Sequence, residues 1–310
     1  MVEISVCIAT YQRPHGLSRL LSSLERQKDM EFELVIVEND IQEHMRTLVE
    51  EFSQRTSIPC TYALEQRRGI SYARNKALSM AKGRYIAFID DDEIATDTWL
   101  YHLHSTIRRY PCDGVLGRIV HIYPKGSSGH LNYNNFPDDL PTGSTLDGMA
   151  TSNTLVKKDA LLKYKGPFSA SYKNYSGEDA ALFKKMVTEG HVFVVCQEAV
   201  TYEYIPAVRT TIKWGLERKF SYGNAITNVR IRHKQRVSFF KPLIGLVYHT
   251  GVFFLCLPFG KKHSVPHMGE AAYRLGMLFA VIGHRMEYYK TSRSQDIPPQ
   301  KMKNYINPIK

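Results

Sequence analysis

Residues 84–93 read Arg-Tyr-Ile-Ala-Phe-Ile-Asp-Asp-Asp-Glu, and this stretch decides how the rest of the chain is interpreted. Its apolar run ends at Ile89, and three aspartates follow, Asp90, Asp91 and Asp92. A short apolar run bounded by polar residues predicts a buried strand. In an open α/β sheet, ligands bind at the carboxyl ends of the strands, and adjacent carboxylates there favour a bound divalent cation. A solvated acidic turn that caps the next helix is the alternative interpretation.

Strand-like and helix-like segments alternate along the first part of the chain, which predicts an α/β fold with a mostly parallel sheet and helices on both faces. Short apolar runs predict strands at 3–9, 32–37, 60–64 and 85–89. Apolar residues at helical spacing predict helices at 17–24, 41–52, 69–82 and 99–107. Beyond these, strands are predicted at 115–123, 152–156, 191–196 and 199–204, and helices at 158–163 and 177–187.

The composition is that of a globular protein, with 310 residues, 43% hydrophobic and 23% charged. The amino terminus lacks the features of a signal peptide. The five cysteines have no metal or redox spacing, which favours reduced thiols in a cytoplasmic protein. The segment 124–148 is rich in Gly, Pro, Ser, Asn and Asp, and we expect it to be a loop with a functional role.

The charge divides the chain into two regions, 1–205 and 206–310. The first carries 23 Lys and Arg against 26 Asp and Glu, a net of −3, and the second 18 against 4, a net of +14. A basic amphipathic segment at 211–236 leads into an apolar segment at 239–259, and a second apolar segment follows at 271–282.

This basic, partly apolar helical extension favours peripheral attachment to an anionic membrane surface over a true membrane span. A soluble helical subdomain, a dimer interface or a nucleic-acid-binding module would also be compatible with this composition. Residues after about 290 are polar and are expected to fray.

Two loops that follow predicted strands carry side chains suited to a nucleotide. The first contains Ala9, Thr10 and Tyr11, a small residue, a hydroxyl and a ring that could stack on a base. The second contains Glu38 and Asp40. A carboxylate at this position can accept a hydrogen bond from a base or ribose. Glu38 is the stronger candidate for that role, because Asp40 also suits a helix N-cap.

A further stretch, 67–75, reads Arg-Arg-Gly-Ile-Ser-Tyr-Ala-Arg-Asn and suits an anion. Gly69 permits close approach of the backbone, and the following helix start offers free N–H groups. Arg74 is expected in the first turn of that helix, where it opposes the helix dipole unless an anion is nearby. The stretch therefore favours binding of a diphosphate.

Taken in order, these stretches resemble family 2 glycosyltransferases of the GT-A fold. The resemblance covers roughly residues 3–205, and it rests on the stretches 5–14, 35–40, 69–75, 83–92 and 177–179. The sequence Gly-Ile-Ser-Tyr-Ala-Arg-Asn at 69–75 is most similar to bacterial exopolysaccharide transferases of the succinoglycan type.

The resemblance implies a role for each matching residue. Asp90 and Asp92 correspond to the Asp-x-Asp motif that holds Mn²⁺ or Mg²⁺, with Asp92 the more direct ligand. Asp179 corresponds to the general base, beside Glu178 in the catalytic acidic pair. Glu38 stands where the family often has an aspartate that reads the base. The implied donor-binding residues are Ala9, Thr10, Tyr11, Arg13, Glu38, Gly69, Arg74, Asp90 and Asp91.

The implied reaction is an inverting, metal-dependent transfer from a nucleotide-diphosphate sugar, most often a UDP-sugar. The implied acceptor is a glycan or a polyprenyl-diphosphate-linked sugar at the inner face of the cell membrane, and no nucleic acid is involved. A nucleotidyltransferase is less consistent, because 10–16 lacks a Gly-rich, Lys-bearing loop. A catalytically inactive sugar-nucleotide-binding protein, or a nucleic-acid-binding module that uses the basic tail, would also fit parts of this pattern.

Overall fold

An eight-stranded mixed sheet forms the centre of the computed structural model, which describes residues 2–127, 136–172, 177–286 and 296–305. The strand order is β3-β2-β1-β4-β7-β6-β8-β5. The strands are β1 Ile4–Thr10, β2 Phe32–Glu38, β3 Cys60–Leu64, β4 Tyr85–Phe88, β5 Glu93–Ala95, β6 Gly114–Ile122, β7 Thr154–Lys157 and β8 Phe193–Tyr204.

Helices cover both faces of this sheet, as the alternation predicts. Leucines of α1 and Trp99 of α4 pack on one face, and Ala77 of α3 and Phe183 of α6 pack on the other. The helices are α1 Pro14–Leu24, α2 Arg46–Arg55, α3 Ile70–Met80, α4 Trp99–Arg109, α5 Lys158–Leu162, α6 Glu178–Thr188, α7 Ile212–Arg232, α8 Phe240–Cys256, α9 Lys261–Val281 and α10 Pro299–Met302.

The parallel part of the sheet determines where the site lies. Strands β3, β2, β1 and β4 pair in parallel, so their carboxyl ends lie along one edge. Strand β7 is antiparallel to β4 and β6, and β5 is antiparallel to β8. The mixed sheet joins a parallel amino-terminal half to a second half in which β6 and β8 are again parallel.

Several element boundaries differ from the sequence predictions for local reasons. Helix α1 begins at Pro14 rather than near 17, because proline suits the first position of a helix. Helix α2 begins at Arg46, and Ile41 is 71% exposed. The strand β5 has three residues, too few to show a period. The two strands predicted at 191–196 and 199–204 are one strand, β8, and a register shift against β6 accommodates the polar interruption.

Helices α7, α8 and α9 pack against one another after the sheet ends. Helix α7 approaches α9 closely, because a Cβ on Gly276 would lie 2.0 Å from the carbonyl oxygen of Phe220. Helix α8 packs on α9 with only one face, and Pro242 is its one buried residue. Within the described part of the chain, Phe240–Phe259 is long and apolar enough to cross a membrane, with a mean hydropathy of 1.7 and 6% of it buried.

Residues 296–305, which we call the C-terminal clasp, return to the sheet. Ile297 and Tyr305 pack with Ile94 and Tyr204 in a small apolar cluster, and the Tyr305 hydroxyl donates to the carbonyl oxygen of Ile205 (2.9 Å). The prediction that the chain frays after 290 is therefore wrong for the clasp. The predicted loop at 124–148 lies partly outside the described residues. All five cysteines are free thiols, as expected.

Candidate functional site

The turn after β4 is tied to the loop after β1 through Asp91. Its Oδ2 atom accepts from the Thr10 hydroxyl (2.8 Å), and its Oδ1 atom accepts from the Arg13 guanidinium (2.7 Å). The Tyr11 amide also points at Oδ2 (3.4 Å), and the Tyr11 side chain is 39% exposed. Burial raises the pKa of Asp91, and the charge of Arg13 opposes that rise. Asp91 thus anchors one loop to the other.

Two arginines flank Asp92, which is the most stably ionised of the three aspartates. Arg13 Nη1 lies 2.8 Å and Arg209 Nη1 lies 3.8 Å from Asp92 Oδ2. Burial alone would raise the pKa of Asp92, but the two guanidinium charges outweigh it and hold this pKa below its ordinary value. Arg209 also pairs with Glu203 (3.1 Å), which fixes its position at the end of β8.

Asp90 is the most open member of the turn, with a side chain that is 42% exposed. Arg74 Nη2 lies 3.4 Å from its Oδ1 atom. Desolvation raises the pKa of Asp90 to about 6, Arg74 opposes the rise, and Asp92 and Asp91 add to it. Asp90, Ala9 and Arg74 line a small pocket at the strand ends. The turn therefore presents one carboxylate to the cleft while its neighbours bind arginines.

Arg74 joins this turn to the start of α6. Its Nη1 atom donates to Glu178 Oε1, and both side chains are buried, at 7% and 3% exposure. Arg74 is the fifth residue of α3 rather than a first-turn residue, so the helix dipole argument for a phosphate does not apply to it. Two carboxylates of the chain itself balance its charge. The role of Arg74 in donor binding remains a prediction.

The carboxylates of Glu178 and Asp179 differ in their surroundings. Glu178 is buried and has one oxygen, Oε2, without a hydrogen-bond partner among the described residues. Burial, followed by the charge of Asp179, raises the pKa of Glu178 to about 7. Asp179 is only partly buried and lies 3.3 Å from the amide and 3.4 Å from the hydroxyl of Thr151. Asp179 is thus the member of the pair that a substrate can reach.

The two acids at the end of β2, Glu38 and Asp40, have different surroundings. Glu38 is fully buried and accepts from the amides of His44 and Met45 (3.0 Å each) and from the Tyr62 hydroxyl. In this arrangement its carboxylate holds the backbone that leads into α2. The role of Glu38 in reading a base remains a prediction. Asp40 is not a helix N-cap, since α2 begins only at Arg46.

Asn39 lies between these two acids, and no sequence motif indicates its role. Its Nδ2 atom donates to the carbonyl oxygens of Glu65 (2.9 Å) and Arg67 (2.8 Å), and its Oδ1 atom accepts from the Gly69 amide (3.0 Å). Gly69 has a φ of 130°, which explains why a glycine stands there. The Gly69 amide is thus engaged by Asn39, and the role of the Gly69 turn in binding a diphosphate remains a prediction.

The acidic turn has the right donors for a hard divalent cation. Mg²⁺ and similar ions are held by one or two carboxylates together with substrate phosphates. Asp90 and Asp92 supply such carboxylates, and the open side chain of Asp90 suits this role. Among the described residues, no group of three or more His, Cys, Asp or Glu side chains could enclose a metal. The arrangement fits a cation shared with a bound diphosphate better than a closed protein site.

Three residues of the site could not be found from the sequence, because their partners are distant in the chain. Arg209 reaches Asp92 from the short 3₁₀ helix Ala207–Thr210, beyond the predicted catalytic region. The ring of Phe168 lies under the Arg74 guanidinium, with its centroid 5.8 Å from Arg74 Cζ. Asp296 approaches the start of α1 from the clasp. The sequence marks only Arg209, through its positive charge, and it does not separate that charge from the other basic residues of 206–310.

Comparison with known proteins agrees with this architecture. Residues 5–165 match the profile described as glycosyl transferase family 2. The chain is 30% identical over 227 residues to the succinoglycan biosynthesis protein ExoM of Rhizobium meliloti (strain 1021), an alignment that covers 72% of each protein.

Two solved structures share the fold. The chain aligns with S. aureus TarS 1–349 in complex with UDP at a TM-score of 0.56 and 16% identity, covering 91% of this chain and 92% of TarS. It aligns with the mannosyltransferase PcManGT of Pyrobaculum calidifontis, in complex with GDP-Man and Mn²⁺, at a TM-score of 0.58 and 14% identity, covering 92% and 76%. With the fold, the ordered motifs and the family profile in agreement, the chain belongs to glycosyltransferase family 2.

Proposed function

We propose that this protein is an inverting glycosyltransferase that moves a sugar from a nucleotide-diphosphate sugar, with UDP the favoured nucleotide, to a hydroxyl of a glycan or lipid-linked oligosaccharide. The process it serves is bacterial surface polysaccharide synthesis, as the name of its succinoglycan relative suggests. The observation that carries the proposal is the link through Arg74, which holds the acidic turn after β4 beside the acidic start of α6. The acidic turn after β4 suits the donor, and the acidic start of α6 suits the acceptor.

The donor would lie across the carboxyl ends of β1, β2 and β4. Tyr11 is exposed at this edge and can stack on a base. Arg13 and Arg209 place positive charge beside Asp92, where the charge of a departing diphosphate can be stabilised. A divalent cation held by Asp90 and Asp92 would add Lewis-acid stabilisation of the same diphosphate. The relatives support this choice only through their fold and their bound nucleotides.

The acceptor would be activated by Asp179. An inverting transfer needs one carboxylate to remove the proton from the attacking hydroxyl. Asp179 is partly exposed at the first turn of α6, and its neighbour Glu178 is buried against Arg74. Glu178 therefore holds the turn in place, and Asp179 can meet the hydroxyl. This assignment narrows the predicted catalytic pair to one residue.

The test is a transfer and hydrolysis screen with UDP-, GDP- and dTDP-sugars in the presence of Mn²⁺ or Mg²⁺. We expect wild-type protein to release one nucleoside diphosphate, at a rate that depends on the metal. Asp179→Asn should bind the same donor but lose glycosyl transfer by about 10²- to 10⁴-fold, the usual contribution of a general base.

Asp159→Asn is the matched control for this screen. Asp159 is also the second residue of a helix, α5, and is exposed, so it shares the helix-dipole environment of Asp179 without facing the cleft. Equal transfer by wild type and Asp179→Asn would contradict the assignment of the base. Donor binding by wild type without turnover of any acceptor or water would instead favour an inactive sugar-nucleotide-binding protein.

The acceptor side of the proposal includes a membrane surface. Helix α8 exposes a set of large apolar side chains, and Lys241, Lys261 and Lys262 lie at its two ends. An apolar face bordered by cations binds anionic lipid surfaces. The strongly exposed apolar residues of this face are Phe240, Ile244, Val247, Tyr248, Phe254, Leu255 and Phe259.

Flotation with liposomes that contain phosphatidylglycerol tests this attachment. We expect wild type to float, and Val247→Glu combined with Phe254→Glu to remain in solution, because both side chains point away from α9 at more than 60% exposure. Leu162→Glu is the control, since Leu162 is 55% exposed on α5, far from the apolar face in sequence. Equal flotation of the α8 double variant and the control would contradict membrane attachment through α8.

A further inference from the structure

The start of helix α1 has an unusual capping arrangement. Its N-cap residue, Arg13, makes no side-chain cap, because a guanidinium carries only donors and cannot accept from an amide. Its donors bind Asp91 and Asp92 instead. A helix start leaves its first N–H groups without intrahelical partners, and the N-cap side chain normally accepts from them. The Arg13 side chain has no acceptor to offer them. Another group must satisfy the amides.

Asp296 of the C-terminal clasp is that group. Its Oδ2 atom accepts from the His15 amide (2.8 Å) and its Oδ1 atom accepts from the Gly16 amide (2.9 Å). These are the second and third residues of α1, and Pro14 before them has no N–H. Asp296 therefore caps a helix that lies 280 residues earlier in the chain.

The capped turn lies directly against the acidic site. A Cβ on Gly16 would approach the carbonyl oxygen of Asp91 to 2.6 Å and Asp296 Oδ1 to 3.5 Å. The absence of a side chain at Gly16 thus lets α1 touch the backbone of the Asp91 turn. Any shift of the α1 start would move this contact and the Arg13 side chain with it.

The clasp is held in place by contacts other than the cap. Arg19 Nη1 donates to the carbonyl oxygen of Ile297 (2.7 Å), and the Lys125 amide donates to that of Asn304 (2.9 Å). Tyr305 packs edge-to-face on Tyr204, with ring centroids 5.3 Å apart. These contacts anchor Asp296 to the end of β8 as well as to α1.

We propose that Asp296 is a positioning residue of the donor site: it caps α1 from the C-terminal clasp and so fixes the helix start that carries Arg13, which holds Asp91 and Asp92 in the geometry that binds the donor diphosphate. The inference rests on the proposed function for the identity of the ligand. It concerns how the site is held, and it does not give Asp296 a contact with the substrate.

The experiment measures binding of UDP and GDP, each with Mn²⁺, to the full chain by calorimetry. Asp296→Ala should weaken binding of the preferred nucleotide measurably and by at most roughly 30-fold, the limit reached if the whole stabilisation of an N-cap were lost from the bound state. Asp296→Asn keeps one acceptor oxygen and should show a smaller loss. Asp97→Ala is the matched control, because it removes an exposed carboxylate beside the other end of α1, where Asp97 pairs with Arg26.

A purely structural cap would lower the melting temperature and leave nucleotide binding alone, so the coupling to Arg13 is decisive. In an Arg13→Ala background, Asp296→Ala should weaken UDP or GDP binding no further, because the side chain that it positions is gone. An additive effect in the double variant, or an unchanged dissociation constant in Asp296→Ala, would overturn the inference.

Hydrogen exchange separates this inference from the proposed function. Asp296→Ala should accelerate exchange of the amides in 15–17 relative to wild type without any nucleotide present, and unchanged exchange would also overturn the inference. Failure of wild type to bind either nucleotide would count against the proposed donor, while the exchange measurement would still decide whether the clasp positions α1.

Discussion

The turn after β4 and the start of α6 share one arrangement of carboxylates and arginines. Each places neighbouring carboxylates at a site where a substrate is to bind. In each, one carboxylate is buried against an arginine: Asp91 against Arg13, and Glu178 against Arg74. The neighbouring carboxylate is more exposed in both places: Asp90 in the turn after β4, and Asp179 at the start of α6.

The difference between the two lies in how completely the charge is balanced. Asp91 has Arg13, the Thr10 hydroxyl and a backbone amide around it. Glu178 has Arg74 on one oxygen and no partner on the other among the described residues. A buried ion pair stabilises only when its remaining hydrogen-bonding capacity is also satisfied. The α6 pair is therefore the more strained of the two, and the one more sensitive to pH.

The largest effect on stability should come from breaking the α6 pair. Glu178→Ala deprives the buried Arg74 guanidinium of its closest carboxylate, and we expect a loss of about 3–5 kcal/mol in unfolding free energy. Glu189→Ala is the control, because Glu189 is an exposed acid at the other end of α6 and should cost at most about 1 kcal/mol. Urea denaturation measures both, and similar losses in the two variants would remove the anchoring role of Glu178.

A smaller effect should separate the acids of the β4 turn. Asp91→Ala deprives the Thr10 hydroxyl and Arg13 of a buried acceptor, and we expect a loss of about 1–3 kcal/mol. Asp92→Ala should cost less, because its side chain is three times as exposed, at 18% against 6%. Denaturation of both variants in parallel decides the point. A greater loss in Asp92→Ala would reverse the roles of the two aspartates.

The smallest effect is a pH dependence of the unfolding free energy, caused by the titration of Glu178. The folded protein raises the pKa of this carboxyl from 4.5 to about 7, so the folded state binds the proton more tightly than the unfolded chain does. Its contribution to stability is present in full below the unfolded pKa of 4.5 and is lost as the pH rises through about 7.

Glu178→Gln removes this titration and provides the measurement. Relative to the variant, wild type should lose up to about 2.5 kcal/mol of unfolding free energy between about pH 5 and pH 8. Thermal melts at the two values give the comparison, and Glu189→Gln serves as control because its exposed carboxyl should change little. A constant difference between wild type and Glu178→Gln would show that Glu178 is ionised throughout.

Local sequence pattern predicts most of this fold and the residues that line the site. The apolar runs give the four parallel strands. Parallel pairing alone places Thr10 and Glu38, which end their strands, at the same edge as Asp90, which follows β4. The local sequence pattern does not predict which arginine lies beside each acidic cluster. Arg74 and Glu178 are 104 residues apart, and nothing local to either residue indicates the other.

The buried contacts of Glu38 and the wrong expectation of an N-cap at Asp40 have a similar origin. Both acids follow a strand, and either could have capped the next helix or met a ligand. The choice depends on where the chain 41–45 passes, and Glu38 holds the amides of that segment from inside the core. Such a preference arises from tertiary structure, since a fully buried carboxylate must find several donors wherever they lie.

The clasp has a practical consequence for work with shortened versions of this protein. Cutting the gene after residue 205 is an obvious way to discard the apolar helix and obtain a tractable catalytic fragment. That fragment would lack Arg209, which faces Asp92, and the Asp296 carboxylate on α1. Its inactivity would reveal nothing about the acids it retains. Assays and crystallisation are better served by the full chain with the outer face of α8 made polar.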